Sequence, residues 1–241
     1  MKQKSLPASM QPFLEGKVLL IDKPYRWTSF DVVKKIRILT GVSKVGHAGT
    51  LDPLATGLLI ICTGNFTKKI LMYMNMEKEY TGSMIIGAST ATYDLESKPE
   101  NFKDISNISA EKIYTVTANF IGEIEQVPPI HSAIKKNGKP AYLLARKGKE
   151  IILEARKINI SCFEITQINL PEISFKVVCS TGTYIRSLIN DYGKFLGTGA
   201  YLKSLCRTRI GNFLLKDAQT PAMFEEEINA IKQASERQPN T

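Results

Sequence analysis

The sequence holds little from which to build a metal centre or a disulfide framework. Among 241 residues there are four cysteines and two histidines. Cys62, Cys162, Cys179 and Cys206 are widely spaced, with no CxxC pair, and only His47 and His131 could complete a ligand set. No structural zinc or other metal is expected from such spacing. The thiols read as reduced cysteines of a cytoplasmic protein. Long apolar runs are missing as well. Leu58–Cys62 falls far short of the ~20 residues a spanning helix requires, so no membrane partner is expected. Near the start, Val18–Ile21 is closed off by Lys17 and Asp22, which leaves no signal-peptide core. Internal repeats and low-complexity segments are also absent.

Carboxylates are the scarcer charge. Lys and Arg number 32 against 23 Asp and Glu, a net charge of +9, which points to a polyanionic partner. The excess is uneven. Residues 1–50 carry nine basic and three acidic side chains, whereas residues 51–100 carry four and six. Between Gln126 and Lys149 there is no carboxylate at all, but six cations: Lys135, Lys136, Lys139, Arg146, Lys147 and Lys149. A solvated face would account for one such run, and so would a surface that grips phosphates.

What is present is an ordinary globular composition, 43% apolar and 23% charged, enough for one core or a core with a modest appendage. Residues 1–16, with Pro7 and Pro12, read as a poorly ordered arm that packs, if at all, only at its end. Val18–Asp22 reads as a short buried strand. From Ser29, the positions Val32, Val33, Ile36 and Leu39 recur at helical spacing, with Thr28 or Ser29 as N-cap and Gly41 as the stop. Leu58–Cys62, Tyr80–Gly87 and Ile173–Cys179 read as further strands. Helices are expected up to Phe120, over Thr183–Leu196 on a stripe that includes Tyr184, Leu188, Tyr192 and Phe195, and after Thr220-Pro221. Strands and helices do not alternate regularly, so the fold class is α+β, a mixed α/β arrangement.

One segment breaks the pattern. Gly46-His47-Ala48-Gly49-Thr50-Leu51-Asp52-Pro53-Leu54-Ala55-Thr56-Gly57 is a glycine-rich loop with a single carboxylate. Pro53 pushes Asp52 toward an extended backbone, which can hold its side chain in one direction. An Asp that merely caps a turn fits the same residues. His47 fits either a structural imidazole or one that meets a base.

The string GHAGTLDPLATGLLIICTG resembles the catalytic motif of the bacterial tRNA pseudouridine-55 synthase family, the TruB family. Other matches follow in the family's order. Lys23-Pro24 closes an I-D-K-P strand end. Lys78-Glu79-Tyr80 resembles the segment with the active-site tyrosine, and Pro128-Pro129-Ile130-His131-Ser132-Ala133-Ile134-Lys135 the start of an RNA-gripping insertion. Thr181-Gly182-Thr183-Tyr184-Ile185-Arg186 resembles the arginine motif. Leu205-Cys206-Arg207-Thr208-Arg209-Ile210-Gly211-Asn212-Phe213 resembles an L-x-R-T-x-x-G-x-F segment. The likeness spans roughly residues 16–215.

The resemblance implies a pseudouridine synthase fold, a central mixed and largely antiparallel sheet flanked by helices. Its catalytic domain would occupy residues 17–215, with the insertion at 125–155, and a helix and tail at 216–241 would stand where many members carry a PUA-type RNA-binding domain. It implies Asp52 as nucleophile, Arg186 as its ion-pair partner, Tyr80 stacked on the target uracil and Leu205 as a pocket wall. His47 would brace the vacated base stack, and Lys23 would touch phosphate or support the tyrosine. The six cations of 135–149 would grip the T-arm of tRNA, the enzyme acting as a monomer without cofactor. Ser97 stands where the family has a glycine, and Thr90, Thr92 and Asp94 read as a structural hairpin or loop. A rival reading is an RNA-binding or folding helper in which catalysis is incidental.

Overall fold

The unbroken apolar run Leu58–Cys62 belongs to a strand covered on both faces, where a period of two has nothing to distinguish. The computed structural model of the chain describes residues 7–130 and 153–236, with the main chain of 135–136 and 139–140. The chain forms two compact units, residues 1–78 with 206–241, and residues 79–205.

In the first unit, β1 (Val18–Lys23) pairs antiparallel with β3 (Ala55–Thr63), from Val18 opposite Cys62 to Lys23 opposite Gly57. β2 (Val45–His47) pairs antiparallel with the last residues of β3, His47 opposite Ile61 and Val45 opposite Thr63. Leu19, Ile21, Leu59 and Ile61 face Val32, Val33, Ile36 and Leu39 of α2 (Ser29–Thr40), and Phe224 and Ile228 of α6 (Pro221–Glu236). Leu58, Ile60 and Cys62 point the other way, into a cluster with Ala48, Tyr73 of α3 (Ile70–Met74) and Ile210. Each fully buried Val, Leu, Ile or Phe among them contributes ~1.5–3 kcal/mol by leaving water.

α2 starts and stops where its sequence directs. The Thr28 hydroxyl accepts from Asp31 N–H while the Asp31 carboxylate accepts from Thr28 N–H, a reciprocal cap, and Gly41 closes the helix at φ +71°. The described part of the expected N-terminal arm packs at its end. Ala8–Met10 and α1 (Gln11–Glu15) are helical, and Met10 and Phe13 are buried in the first cluster, the Phe13 ring lying edge-on to Phe224. Two large apolar side chains with a core to enter outweigh the mixed polar character of their neighbours.

In the second unit the strand order is β10, β4, β9, β8, β5. These are β4 (Lys78–Ile86), β5 (Gly122–Gln126), β8 (Arg156–Asn169), β9 (Glu172–Cys179) and β10 (Ala200–Ile210), whose last five residues belong to the first unit and pair there with β11 (Phe213–Leu214). The β5–β8 and β8–β9 pairings are antiparallel. α4 (Ala110–Ala118) and α5 (Ile185–Leu196) pack an aromatic cluster of Phe120, Phe163 and Tyr192. In the insertion, β6 (Lys135–Lys136) and β7 (Lys139–Pro140) pair antiparallel through their main chains.

Three expectations shift. α5 begins two residues after Thr183, with Tyr184 as N-cap, and Phe195 is exposed rather than part of the buried stripe. β3 begins at Ala55, so the glycine-rich loop is shorter than its sequence signature. The long strands β8 and β10 were not anticipated. In β8 the buried positions pass from Ile158 and Ile160 to Phe163 and Ile165, a phase change at a register shift between Ile160 and Cys162 that hides the period of two. Among the described residues no helix is long and apolar enough to cross a membrane.

Candidate active site

The loop with the single carboxylate is held by its main chain on both sides of Asp52. Before it, the Ser29 hydroxyl accepts from Leu51 N–H at 2.9 Å and lies 3.2 Å from the Leu51 carbonyl. After it, the Pro53 carbonyl accepts from Arg26 N–H at 2.8 Å, Arg26 itself lying in the left-handed region at φ +67°. The Asp52 carbonyl accepts from Ala55 N–H at 3.1 Å, which closes a turn. Arg207 Nε donates to the Leu58 carbonyl and Nη2 to that of Gly49. A carboxylate carried on a main chain fixed at so many points has little orientational freedom left to lose on binding a ligand.

The position of Lys23 bears on one of its two expected roles, the phosphate contact. It is wholly buried, with its ammonium donating to the carbonyls of Trp27 at 2.6 Å, Pro24 at 2.9 Å and Pro53 at 3.4 Å. Three donors meet three acceptors inside the protein, so the group supports the turn after Asp52 and offers nothing to a phosphate. Burial pulls its pKa down to about 8, against the attraction of Asp52 and reinforced by the charge of Arg207. His47, at the end of β2, is also shifted down, by burial first and then by Arg207, despite a hydrogen bond to the Gly49 main chain. Its imidazole is therefore neutral at pH 7. Its Nδ1 is buried and has no hydrogen-bond partner among the described residues.

The second unit assembles a different set. Tyr80 on β4 and Leu205 on β10 are buried. Arg186, on the first turn of α5, is only 4% exposed, not the surface arginine its place off the apolar stripe would allow. Its Nε lies 3.6 Å from Asp94 Oδ2, and its Nη1 donates to the Thr92 carbonyl at 3.2 Å. Asp94 is fixed in turn by the Thr92 hydroxyl at 2.6 Å and by Glu96 N–H at 3.0 Å. Ser97 belongs to this knot, 2.8 Å from the Thr92 hydroxyl and accepting from Thr92 N–H.

Sequence reasoning left Asp94 as part of a structural loop and passed over Ser29 and Arg207. The signal for Asp94 was a carboxylate among four hydroxyl-bearing residues, Ser89, Thr90, Thr92 and Ser97, which is a pattern without a partner until the fold supplies Arg186. The side chains of Lys135, Lys136, Lys139, Arg146, Lys147 and Lys149 lie outside the described residues.

Residues 37–185 match the model of the TruB family pseudouridylate synthases (N terminal domain). Similar curated proteins include tRNA pseudouridine synthase B of Flavobacterium johnsoniae, 51% identical over 90% of this chain and 98% of that protein, and tRNA pseudouridine synthase B of Phocaeicola vulgatus, 48% identical over 89% and 94%. Among solved structures, a Cbf5-Nop10-Gar1 complex matches with a TM-score of 0.74 at 28% identity, covering 95% of this chain and 60% of that one. The strand arrangement in each unit and the order of motifs agree with these likenesses, and the chain belongs to the TruB family of pseudouridine synthases.

Proposed function

We propose that the protein isomerises uridine 55 in the T loop of tRNA to pseudouridine, with Asp52 as nucleophile. The observation that carries the reading is the fixed loop with its single carboxylate, in a chain about half identical to tRNA pseudouridine synthase B over nearly all of that protein's length. The reaction conserves composition. The N1–C1′ bond of the uridine is replaced by a C5–C1′ bond, and the proton lost from C5 is matched by one gained at N1. No oxidant or reductant is consumed, and a carboxylate that forms and releases a covalent adduct suits such an exchange.

A stacked uridine must first leave the loop, at a cost of a few kcal/mol that new contacts offset. Following the family resemblance, Tyr80 stacks on the extruded uracil, Leu205 walls it, Arg186 supplies the positive charge that favours an ionised aspartate, and neutral His47 fills the vacated stack. The cations of 135–149 hold the T-arm, and the enzyme works as a monomer. Pseudouridine mapping of an unmodified tRNA transcript and of an isolated T-arm hairpin tests this. The expected product is pseudouridine at position 55 alone in both, with Asp52→Asn binding tRNA and forming none. Modification elsewhere, or an active Asp52→Asn protein, would overturn it.

A further inference from the structure

Arg207 has the largest fully buried side chain among the described residues. Burying a guanidinium is costly unless its N–H groups are paired, and an apolar side chain would fill the space more cheaply. The charge therefore needs a reason, and the pairing gives one. Nε donates to the carbonyl of Leu58 at 2.7 Å and Nη2 to that of Gly49 at 3.2 Å. Those carbonyls bracket the loop in which Asp52 sits.

The main chain is shaped to the same contact. Gly49 and Gly57, one near each end of the loop, have φ of +94° and +100°, where side-chain-bearing residues are strained. A Cβ on Gly57 would stand 2.5 Å from the Arg207 carbonyl oxygen, so the loop closes against the strand only because that atom is missing. A planar guanidinium spans two acceptors at a set separation, whereas an ammonium concentrates its donors at one point.

We propose that Arg207 is a positioning residue for the isomerisation, its guanidinium tying the two ends of the glycine-rich loop together so that Asp52 meets the extruded uridine in one orientation. The inference rests on the assignment of Asp52 as nucleophile. A side chain 1% exposed touches no RNA, so its contribution is to the rate of the chemical step and not to affinity.

The test compares Arg207→Lys, Arg207→Gln and Asp52→Asn by three measurements: single-turnover pseudouridine formation at saturating enzyme on a tRNA transcript, Kd for that transcript by filter binding, and thermal melting. Both Arg207 variants should lose about tenfold to a hundredfold in rate while Kd stays within about twofold. Lysine keeps the charge but not the two-point grip, so it should rescue little. A wild-type rate in both variants beside an inactive Asp52→Asn protein overturns the positioning role and leaves the nucleophile assignment standing. An active Asp52→Asn protein overturns both. Parallel loss of rate and affinity, or melting below the assay temperature in both Arg207 variants, would make Arg207 a binding or folding requirement and overturn the proposal.

Discussion

Replacing Lys23 by Met asks how much the turn after Asp52 costs the fold. The folded protein holds the Lys23 ammonium in a fully buried position, and burial brings its pKa to about 8 from the ordinary 10.5. Asp52, Asp22 and Asp31 oppose that shift and Arg207 adds to it. Below pH 8 both folded and unfolded chains carry the proton, and the folded state bears the whole penalty, about 3 kcal/mol at 1.36 kcal/mol per pH unit. Between pH 8 and 10.5 the unfolded chain binds more protons than the folded one, so raising the pH favours folding. Met cannot titrate, and it leaves the carbonyls of Pro24, Trp27 and Pro53 without this donor, a pH-independent loss. The stability of the wild type minus that of Lys23→Met, from urea unfolding at several pH values, should therefore rise by about 3 kcal/mol from pH 8 to 10.5. Taking the difference matters because the Cys62 thiol, pushed up to about 11 by burial, lowers stability in that range in both proteins and cancels. A difference that stays flat within about 0.5 kcal/mol over the window would refute the reasoning.

The parts of this fold that were legible in the sequence are those decided locally. Thr28, Asp31 and Gly41 delimit α2 because a cap needs only its own first and last turns. Thr220 and Pro221 open α6 for the same reason, the Thr220 hydroxyl accepting from Met223 N–H. β8 was illegible because its alternation slips where one extra residue is accommodated against β9, a property of the pairing and not of the strand. The packing of 8–15 was not legible in detail because Met10 and Phe13 matter only once Phe224, more than 200 positions away, lies beside them. The site divides along the same line. Asp52 stood out as the one carboxylate in a glycine-rich loop, but the groups that hold that loop, Ser29 and Arg207, come from segments 22 and 158 positions distant from the atoms they bind. For Lys23 the choice between its two expected roles was not legible, since a lysine beside a proline at a strand end carries no mark of whether its ammonium faces water or three carbonyls.

Two further outcomes are expected. Phe13→Ala should cost about 3–5 kcal/mol in urea unfolding, as for a core aromatic, whereas a loose arm would lose almost nothing. The pair Arg186–Asp94 makes the sharper case. Both side chains are about 5% exposed or less, and removing one partner takes from the other a close opposite charge in a medium that screens it poorly. Asp94→Asn preserves shape and an acceptor for the Thr92 hydroxyl, so its cost reports charge more than packing. Arg186→Gln removes the other charge, and the double variant removes both. Each single change should therefore cost about 3 kcal/mol and the double variant much less than their sum, giving a coupling of at least about 2 kcal/mol in a double-mutant cycle read by urea unfolding. If the two costs add to within about 0.5 kcal/mol, the 3.6 Å approach of Nε to the carboxylate is proximity without energy, and Asp94 does not hold Arg186 in place.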